Sequence, residues 1–321
     1  MKIGILAYDG CTASMIVGVL DILSFANSQH KSRDESDLFE IEIITETGEA
    51  ANGFSKFPIQ AHRSIKTKSR FDLIYVPGFV GDFEELLSKQ KNVIKWLKRQ
   101  YQDGIMLTAA CNGNFLLAES GILKGKRATT HWSLIDAFRK RYKEITLEPE
   151  KIIVDNGSII SAAGVTAYFN LALFLVERYG SKELALTTAK VFLVDSGRKL
   201  QTPYQMYQVP KNHGDEEIVH VQDWLEANYN EKITLEKMAH VCNLGEKTLV
   251  RRFKKVTGET PLAYLQKLRI ENAKRLLESK KVSFNEITWR VGYNDISSFH
   301  KVFKLETGLT PIEYRSKFSI V

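Results

Sequence analysis

Cysteine is scarce in this chain: 321 residues contain three, Cys11, Cys111 and Cys242. An odd, widely spaced set without metal-ligand spacing excludes a disulfide framework, and a reduced, cytosolic protein is the expectation. Long apolar runs are also missing. No stretch of about eighteen apolar residues occurs, which excludes a membrane-spanning helix. The opening MKIGILAYDG has neither the apolar core nor the cleavage site of a secretory signal and reads directly as a strand. Nothing in the composition calls for a metal or a cofactor. Excess charge is absent from most of the molecule: outside residues 246–321 there are 29 Lys/Arg against 30 Asp/Glu.

What is present is a pattern written twice near the C-terminal end. MAHVCNLGEKTLVRRFKKVTGETPLAYL, from Met238, returns as ITWRVGYNDISSFHKVFKLETGLTPIEYR, from Ile287. Phe253, Lys254, Thr257, Gly258, Pro261 and Tyr264 recur fifty residues later as Phe303, Lys304, Thr307, Gly308, Pro311 and Tyr314. Ahead of the second helix of each copy the offset is 49, because the later copy has one extra turn residue near Asn294. Two copies are too few for a solenoid. A short apolar-periodic helix, a tight turn and a second helix ending at Thr-Gly predict a helix-turn-helix in each copy.

Boundary signals agree with the periodicity. Ser283 and Glu286 have capping-box spacing, as have Thr310 and Glu313. Gly258 and Gly308 stand where a left-handed residue ends a helix, and Pro261 and Pro311 follow at the first position of the next. A helix over 261–278 bridges the copies, and its eighteen residues span about 27 Å. Two recognition helices so joined suit one turn of DNA, ~34 Å. The charge fits phosphate contact, since residues 246–321 hold 16 Lys/Arg against 8 Asp/Glu.

Residues 218–321 resemble the AraC/XylS-type DNA-binding domain, and EITWRVGYNDISSFHKVFKLETGLTPIEYR carries that family's signature with Thr288 in place of the usual Ala. The resemblance implies double-stranded DNA as partner. It places base-facing positions at Lys247, Val250 and Arg251 in the first copy and at Ile296, Ser297, His300 and Lys301 in the second. Leu249, Phe253, Phe299 and Phe303 are expected in the core. Arg251 has the planar fork that suits guanine O6/N7. Lys254, Lys255 and Lys304 suit phosphates. For His300, a solvent-facing structural role and a base contact stay open.

The polar stretch 201–217, with two Pro and one Gly, reads as a linker. Before it, residues 1–200 alternate strands and helices. Apolar runs at Lys2–Tyr8, Phe39–Thr45, Phe71–Pro77 and Ile105–Ala110 are separated by helical patterns at Ser14–Asn27 and Phe83–Tyr101. Ala128–His131 and Ser158–Ala163 offer later strands, and Thr166–Tyr179 and Lys182–Asp195 later helices. This pattern indicates a parallel α/β sheet covered on both faces.

The run Ile105–Ala110 leads straight into Cys111, and Asn112-Gly113-Asn114-Phe115 opens a helix. Such a turn exposes a side chain at a sheet edge, where helix amides can lower a thiol pKa. Gly78 is placed to lend a backbone amide, and His131 lies twenty residues beyond the cysteine. With VPGF at Val76–Phe79, these stretches make residues 1–194 similar to the DJ-1/PfpI superfamily, and the domain order matches its GlxA-like branch fused to AraC-type domains. The fold implied is flavodoxin-like α/β (class I glutamine amidotransferase-like), followed by an all-α domain with two helix-turn-helix units.

By the same resemblance the chain is a sequence-specific transcriptional regulator whose first domain senses a small-molecule effector, forms a homodimer, or both. Superfamily enzymes pair the cysteine with an acid from the first loop. Met15 stands there instead, with Asp21 further along the helix, and Asn112 occupies the place of the histidine that follows the cysteine in PfpI-type hydrolases. A non-enzyme is therefore expected. The alternatives are a DJ-1/PfpI-class enzyme, such as a glyoxal hydratase, amidase or isonitrile hydratase, and a redox or electrophile sensor at Cys111.

Overall fold

A computed structural model of the chain describes residues 1–31, 36–207, 211–279 and 282–319. It divides into two compact units, Met1–Gln201 and Thr202–Val321. The first is built on a seven-stranded sheet. Its strands are β1 (Lys2–Leu6), β2 (Glu40–Thr45), β3 (Arg63–Ser64), β4 (Leu73–Val76), β5 (Met106–Ala110), β6 (Ile153–Asp155) and β7 (Ile159–Ala162), in the spatial order β6-β7-β5-β4-β1-β2-β3. Every pairing is parallel except the β6–β7 hairpin.

β4 and β7 are buried along their whole length, as is β5 after Met106. Continuous apolar strands of this kind need cover on both faces. The helices are α1 (Ala13–Lys31), α2 (Phe83–Lys89), α3 (Lys91–Gln102), α4 (Asn114–Glu119), α5 (Ile135–Arg141), α6 (Ala167–Tyr179) and α7 (Lys182–Val191). α1, α6 and α7 pack on one another as one layer, and α2, α3 and α4 as another.

Two expectations need correction here. The single helix over Phe83–Tyr101 is two helices, because Gln90 leaves the helical region (φ −95°, ψ 23°), closing α2 through its amide to Leu86 O and opening α3. Of the strand expected at Ala128–His131 only Ala128 is in a strand, Arg127–Ala128, which pairs with Thr146–Leu147. Side chains take over beyond it: Thr129 N–H donates to Ser161 Oγ and Thr130 Oγ1 donates to Cys111 O.

Among the described residues the regular elements of the second unit are helical: α8 (Glu216–Asn228), α9 (Leu235–Val241), α10 (Glu246–Thr257), α11 (Pro261–Ser279), α12 (Phe284–Arg290), α13 (Ile296–Thr307) and α14 (Pro311–Phe318). It has two apolar cores. One gathers Ile218, Val221, Met238, Leu249 and Phe253 with Tyr264 and Leu265 of α11. The other gathers Ile287, Val291, Phe299, Phe303 and Tyr314 with Ile270, Ala273 and Leu277 of the same helix. α11 therefore belongs to both halves and joins them.

The stretch 201–217 is anchored in each unit, and its residues 208–210 lie outside the described residues. Gln201 is 3% exposed within the first unit. Its amide donates to Thr130 O and Pro149 O, both at 2.9 Å, and its Oε1 accepts from Trp132 N–H at 3.0 Å. In the second unit Thr202–Tyr204 is a 3-10 turn. Tyr207 packs on the first helical core, with its hydroxyl on Glu259 and its amide donating to Glu271.

Candidate nucleic-acid interface and the Cys111 elbow

α9 with α10, and α12 with α13, form the two helix-turn-helix units, and their turns repeat in detail. Asn243 and Gly292, 49 residues apart, both adopt left-handed φ values, 51° and 82°. By the helix starts the offset is fifty, since Gly245 caps α10 and Asp295 caps α13. Asp295 accepts from Ser298 N–H at 2.6 Å, and the Ser298 hydroxyl and amide hold its carboxyl below the usual range.

At the far ends Gly258 and Gly308 are left-handed, φ 83° and 76°. Thr257 Oγ1 donates to Phe253 O and Thr307 Oγ1 to Phe303 O, both at 2.7 Å. The capping box at Thr310 and Glu313 is complete. That expected at Ser283 and Glu286 is half formed. Ser283 accepts from Glu286 N–H at 3.2 Å, but the Glu286 carboxylate takes Arg290 one turn on at 2.5 Å. Thr288, at the position where Ala is usual, is fully buried and donates to Phe284 O at 2.9 Å, so its hydroxyl is satisfied within its own helix.

Leu249, Phe253, Phe299 and Phe303 are fully buried. The opposite faces of α10 and α13 carry Lys247, Arg251, Lys254 and Lys255, and Ser297, Lys301 and Lys304, all exposed, with Val250 and Ile296 half-buried. Lys247, Val250, Arg251 and Lys254 line one shallow groove with Leu235. His300 differs from its neighbours. It is half-buried, packs edge-on against Phe299, and its Nε2 is enclosed without a hydrogen-bond partner among the described residues. A base contact through Nε2 therefore needs a rotamer change.

Sequence reasoning passed over two residues. Arg252, next to the exposed Arg251, points back into the unit, where its guanidinium binds Asp215 at 2.6 and 3.0 Å and Glu217 at 2.7 Å. Arg252 in turn holds the Asp215 carboxyl below its ordinary value. The signal was there: Arg252 stands three residues after Leu249 and four before Val256, beside the apolar stripe, whereas Arg251 stands four after Lys247 on the outer face. Arg269, on α11, donates to Tyr229 O at 2.8 Å and Glu231 O at 2.7 Å. Its guanidinium also covers the Tyr293 ring at 5.6 Å. It thus ties the turn after α8 to the turn of the second helix-turn-helix. Gln266, donating to Glu306 at 3.0 Å, makes a parallel tie from α11 to α13.

In the first unit β5 delivers Cys111 in a left-handed conformation, φ 57°, the sparsely populated geometry found at functional turns. The turn is tightly packed. A Cβ on Gly113 would stand 2.4 Å from Pro77 O, and one on Gly78 3.0 Å from Cys111 Cβ and 3.2 Å from Met15 Sδ. Cys111, Gly78 and Met15 are therefore brought together, whereas Asp21 is exposed further along α1. Asn112 is a clip, accepting from Phe79 N–H at 2.8 Å and donating to Phe79 O at 2.9 Å.

The thiol is not activated. Burial pushes Cys111 up to about 11, opposite to the lowering expected from helix amides. Cys11 is pushed to about 11 for the same reason, and Cys242 is buried in the first helical core. His131 has Ser133 as its hydrogen-bond partner. Its Nδ1 accepts from Ser133 N–H at 3.2 Å and meets the Ser133 hydroxyl at 2.7 Å, and burial lowers its pKa. Among the described residues no hydrogen bond joins it to Cys111. Its loop reaches the elbow through Thr130, which donates to Cys111 O at 3.1 Å. No cluster of three metal-ligating side chains occurs among the described residues, and no described helix is long and apolar enough to cross a membrane.

Comparison with known proteins places both halves. A model of the DJ-1/PfpI family matches residues 17–178, and a helix-turn-helix domain model matches residues 238–317. The chain is similar to the HTH-type transcriptional regulator CdhR of Pseudomonas aeruginosa, 26% identical over 312 residues that cover 96% of this chain and 89% of that protein. It is also similar to the HTH-type transcriptional regulator GbdR of the same species, 24% identical over 318 residues, 98% of this chain and 84% of that one. Among solved structures, Drosophila melanogaster DJ-1beta superposes with a TM-score of 0.51 at 21% identity, covering 60% of this chain and 98% of that chain. That likeness shows the flavodoxin-like α/β fold of the first unit.

Proposed function

We propose that this chain, which belongs to the DJ-1/PfpI family and carries an AraC-type helix-turn-helix domain behind its α/β unit, reads a specific operator through α10 and α13. It is a DNA-binding transcriptional regulator. The observation that carries the finer reading is the pair of matched helix-turn-helix units, each with a buried aromatic face and a basic outer face. In this reading Arg251 contacts guanine, with Lys247, Val250, Ile296, Ser297, His300 and Lys301 completing base readout. Lys254, Lys255 and Lys304 hold phosphates and fix register.

The α/β unit acts as the sensing and pairing module and turns over no substrate. A protonated, buried thiol, with Met15 and Asn112 where an acid and a histidine would serve it, supports this reading. The burial of Cys111 gives an electrophile-sensor role no support. In the homodimer that follows from this reading, four helix-turn-helix units act at tandem sites with raised effective concentration.

The test is salt-dependent binding to the promoter DNA flanking the chain's own gene, with unrelated DNA in excess. Arg251→Ala is expected to weaken the specific site by about tenfold or more, from a bidentate contact of ~1–3 kcal/mol. Lys254→Ala should weaken all sequences alike and flatten the salt slope by about one. Equal affinity of wild type and Arg251→Ala for every duplex would sink the operator reading. Cys111→Ala should bind DNA as wild type does, and sedimentation of the full chain checks the dimer.

A further inference from the structure

A cavity of about 720 Å³ opens in the α/β unit between α6, α7 and the segment 196–200, and no residue of the Cys111 elbow lines it. Its apolar wall includes Ile153, Leu173, Phe174, Ala185, Leu186 and Leu200. Its charged lining is mostly basic: Lys151, Lys182, Arg198 and Lys199, with Glu177 the acid among them. Lys151 is paired with Glu148 at 2.7 Å, whereas the ammonium groups of Lys182 and Lys199 make no hydrogen bond or ion pair among the described residues. Lys182 is also the first residue of α7, where the amide end of the helix adds to the positive field. We propose that this cavity binds a small amphipathic anion, an organic acid with an apolar body of several carbons.

The volume lies in the range of small-molecule sites, ~300–1,000 Å³, and an apolar wall with a few converging charges is the composition such sites have. An apolar body covers Leu173, Phe174 and Leu186, and the anionic head meets Lys182 and Lys199 at the rim. The site is also placed to be felt by the connector. Ile152 N–H donates to Lys199 O at 2.9 Å and Gln201 N–H to Glu150 O at 2.8 Å. The cavity wall at Lys199 and Leu200 therefore runs directly into the residue where the first unit ends. This regulatory consequence rests on the regulator reading above, whereas binding itself does not.

Calorimetric titration of the full chain tests the site with octanoate as probe, and with octylamine and acetate as controls for charge and apolar body. Octanoate is expected to bind once per chain, with both controls at least about tenfold weaker. The surface variant Lys182→Glu/Lys199→Glu should lose about tenfold or more for octanoate while melting as wild type does. No heat with octanoate, equal affinity for octylamine, or unchanged affinity in the double variant overturns the proposal. A Leu186→Glu variant that sediments as a monomer, against a wild-type dimer that binds no octanoate, would assign the face to a second copy and overturn it too. Promoter binding with and without octanoate is the separate arm. A bound probe with unaltered DNA affinity upholds the site and removes its regulatory role, and failure of wild type to bind any DNA counts against the regulator reading alone.

Discussion

At the strand-to-helix turn, Cys111 is subject to two opposed influences: helix amides favour the thiolate, and burial disfavours it. Burial wins, with the pKa pushed to about 11. Alkylation of Cys111 by iodoacetamide at about pH 7 should therefore be far slower than that of a peptide thiol and should recover in urea; peptide mapping that found rapid native labelling would refute this. The turn itself was legible, because an apolar run ended at the cysteine and a helix pattern began. Its enclosure was not, since Met15 and Gly78 reach the cysteine from segments far apart in sequence. Asp215 offers a pH test. Arg252 keeps its carboxyl below the ordinary value, ~3.9. Its contribution to stability is then complete above the unfolded pKa and is lost as pH falls through the lower folded one. Urea midpoints measured from about pH 6 to pH 2 should fall less steeply in Asp215→Asn than in wild type.

Among the elements, the doubled unit shows which local rules were strong enough to read. The offset of fifty identified the ends of α10 and α13, and left-handed glycines stand at both. Gly308→Ala places a Cβ at φ 76° and is expected to cost about 1–2 kcal/mol. A urea denaturation midpoint equal to wild type would contradict that. Asn243, left-handed in the first turn where the second has Gly292, should gain rather than lose stability on change to Gly, by a few tenths to about 1 kcal/mol. Weaker rules failed where a competitor intervened. Glu286 has Arg290 one turn on as an alternative partner, so its box stays half made. Gln90 breaks a helix whose apolar pattern runs through it unbroken, and side-chain hydrogen bonds replace the ladder after Ala128. Periodicity reports which face is buried and says little about where hydrogen bonds change hands.

Over the whole DNA-binding unit, spacing is the property that matters. α11 carries side chains into both cores, and Arg269 and Gln266 hold the second helix-turn-helix against the first. Arg269→Ala is expected to leave each half folded but to loosen their mutual spacing. Affinity for a full operator should drop about tenfold as the effective concentration of the second reader falls. Footprinting checks it: protection of the second half-site should weaken first, and an unchanged footprint would remove the role assigned to Arg269. A long helix between the copies was evident from sequence, but this clamp was not, because Tyr229, Glu231 and Tyr293 meet Arg269 only in three dimensions.

One buried amide also governs how such regulators can be recombined. Gln201 donates its side-chain amide to Thr129, Thr130 and Pro149 and accepts from Trp132 N–H. A hybrid gene that joins this head to a foreign reader upstream of codon 201 would leave several polar groups of the donor facing a hole. A splice placed after it would hand over the head with its last peg seated, so the workable seam lies a residue or two inside what composition marks as spacer.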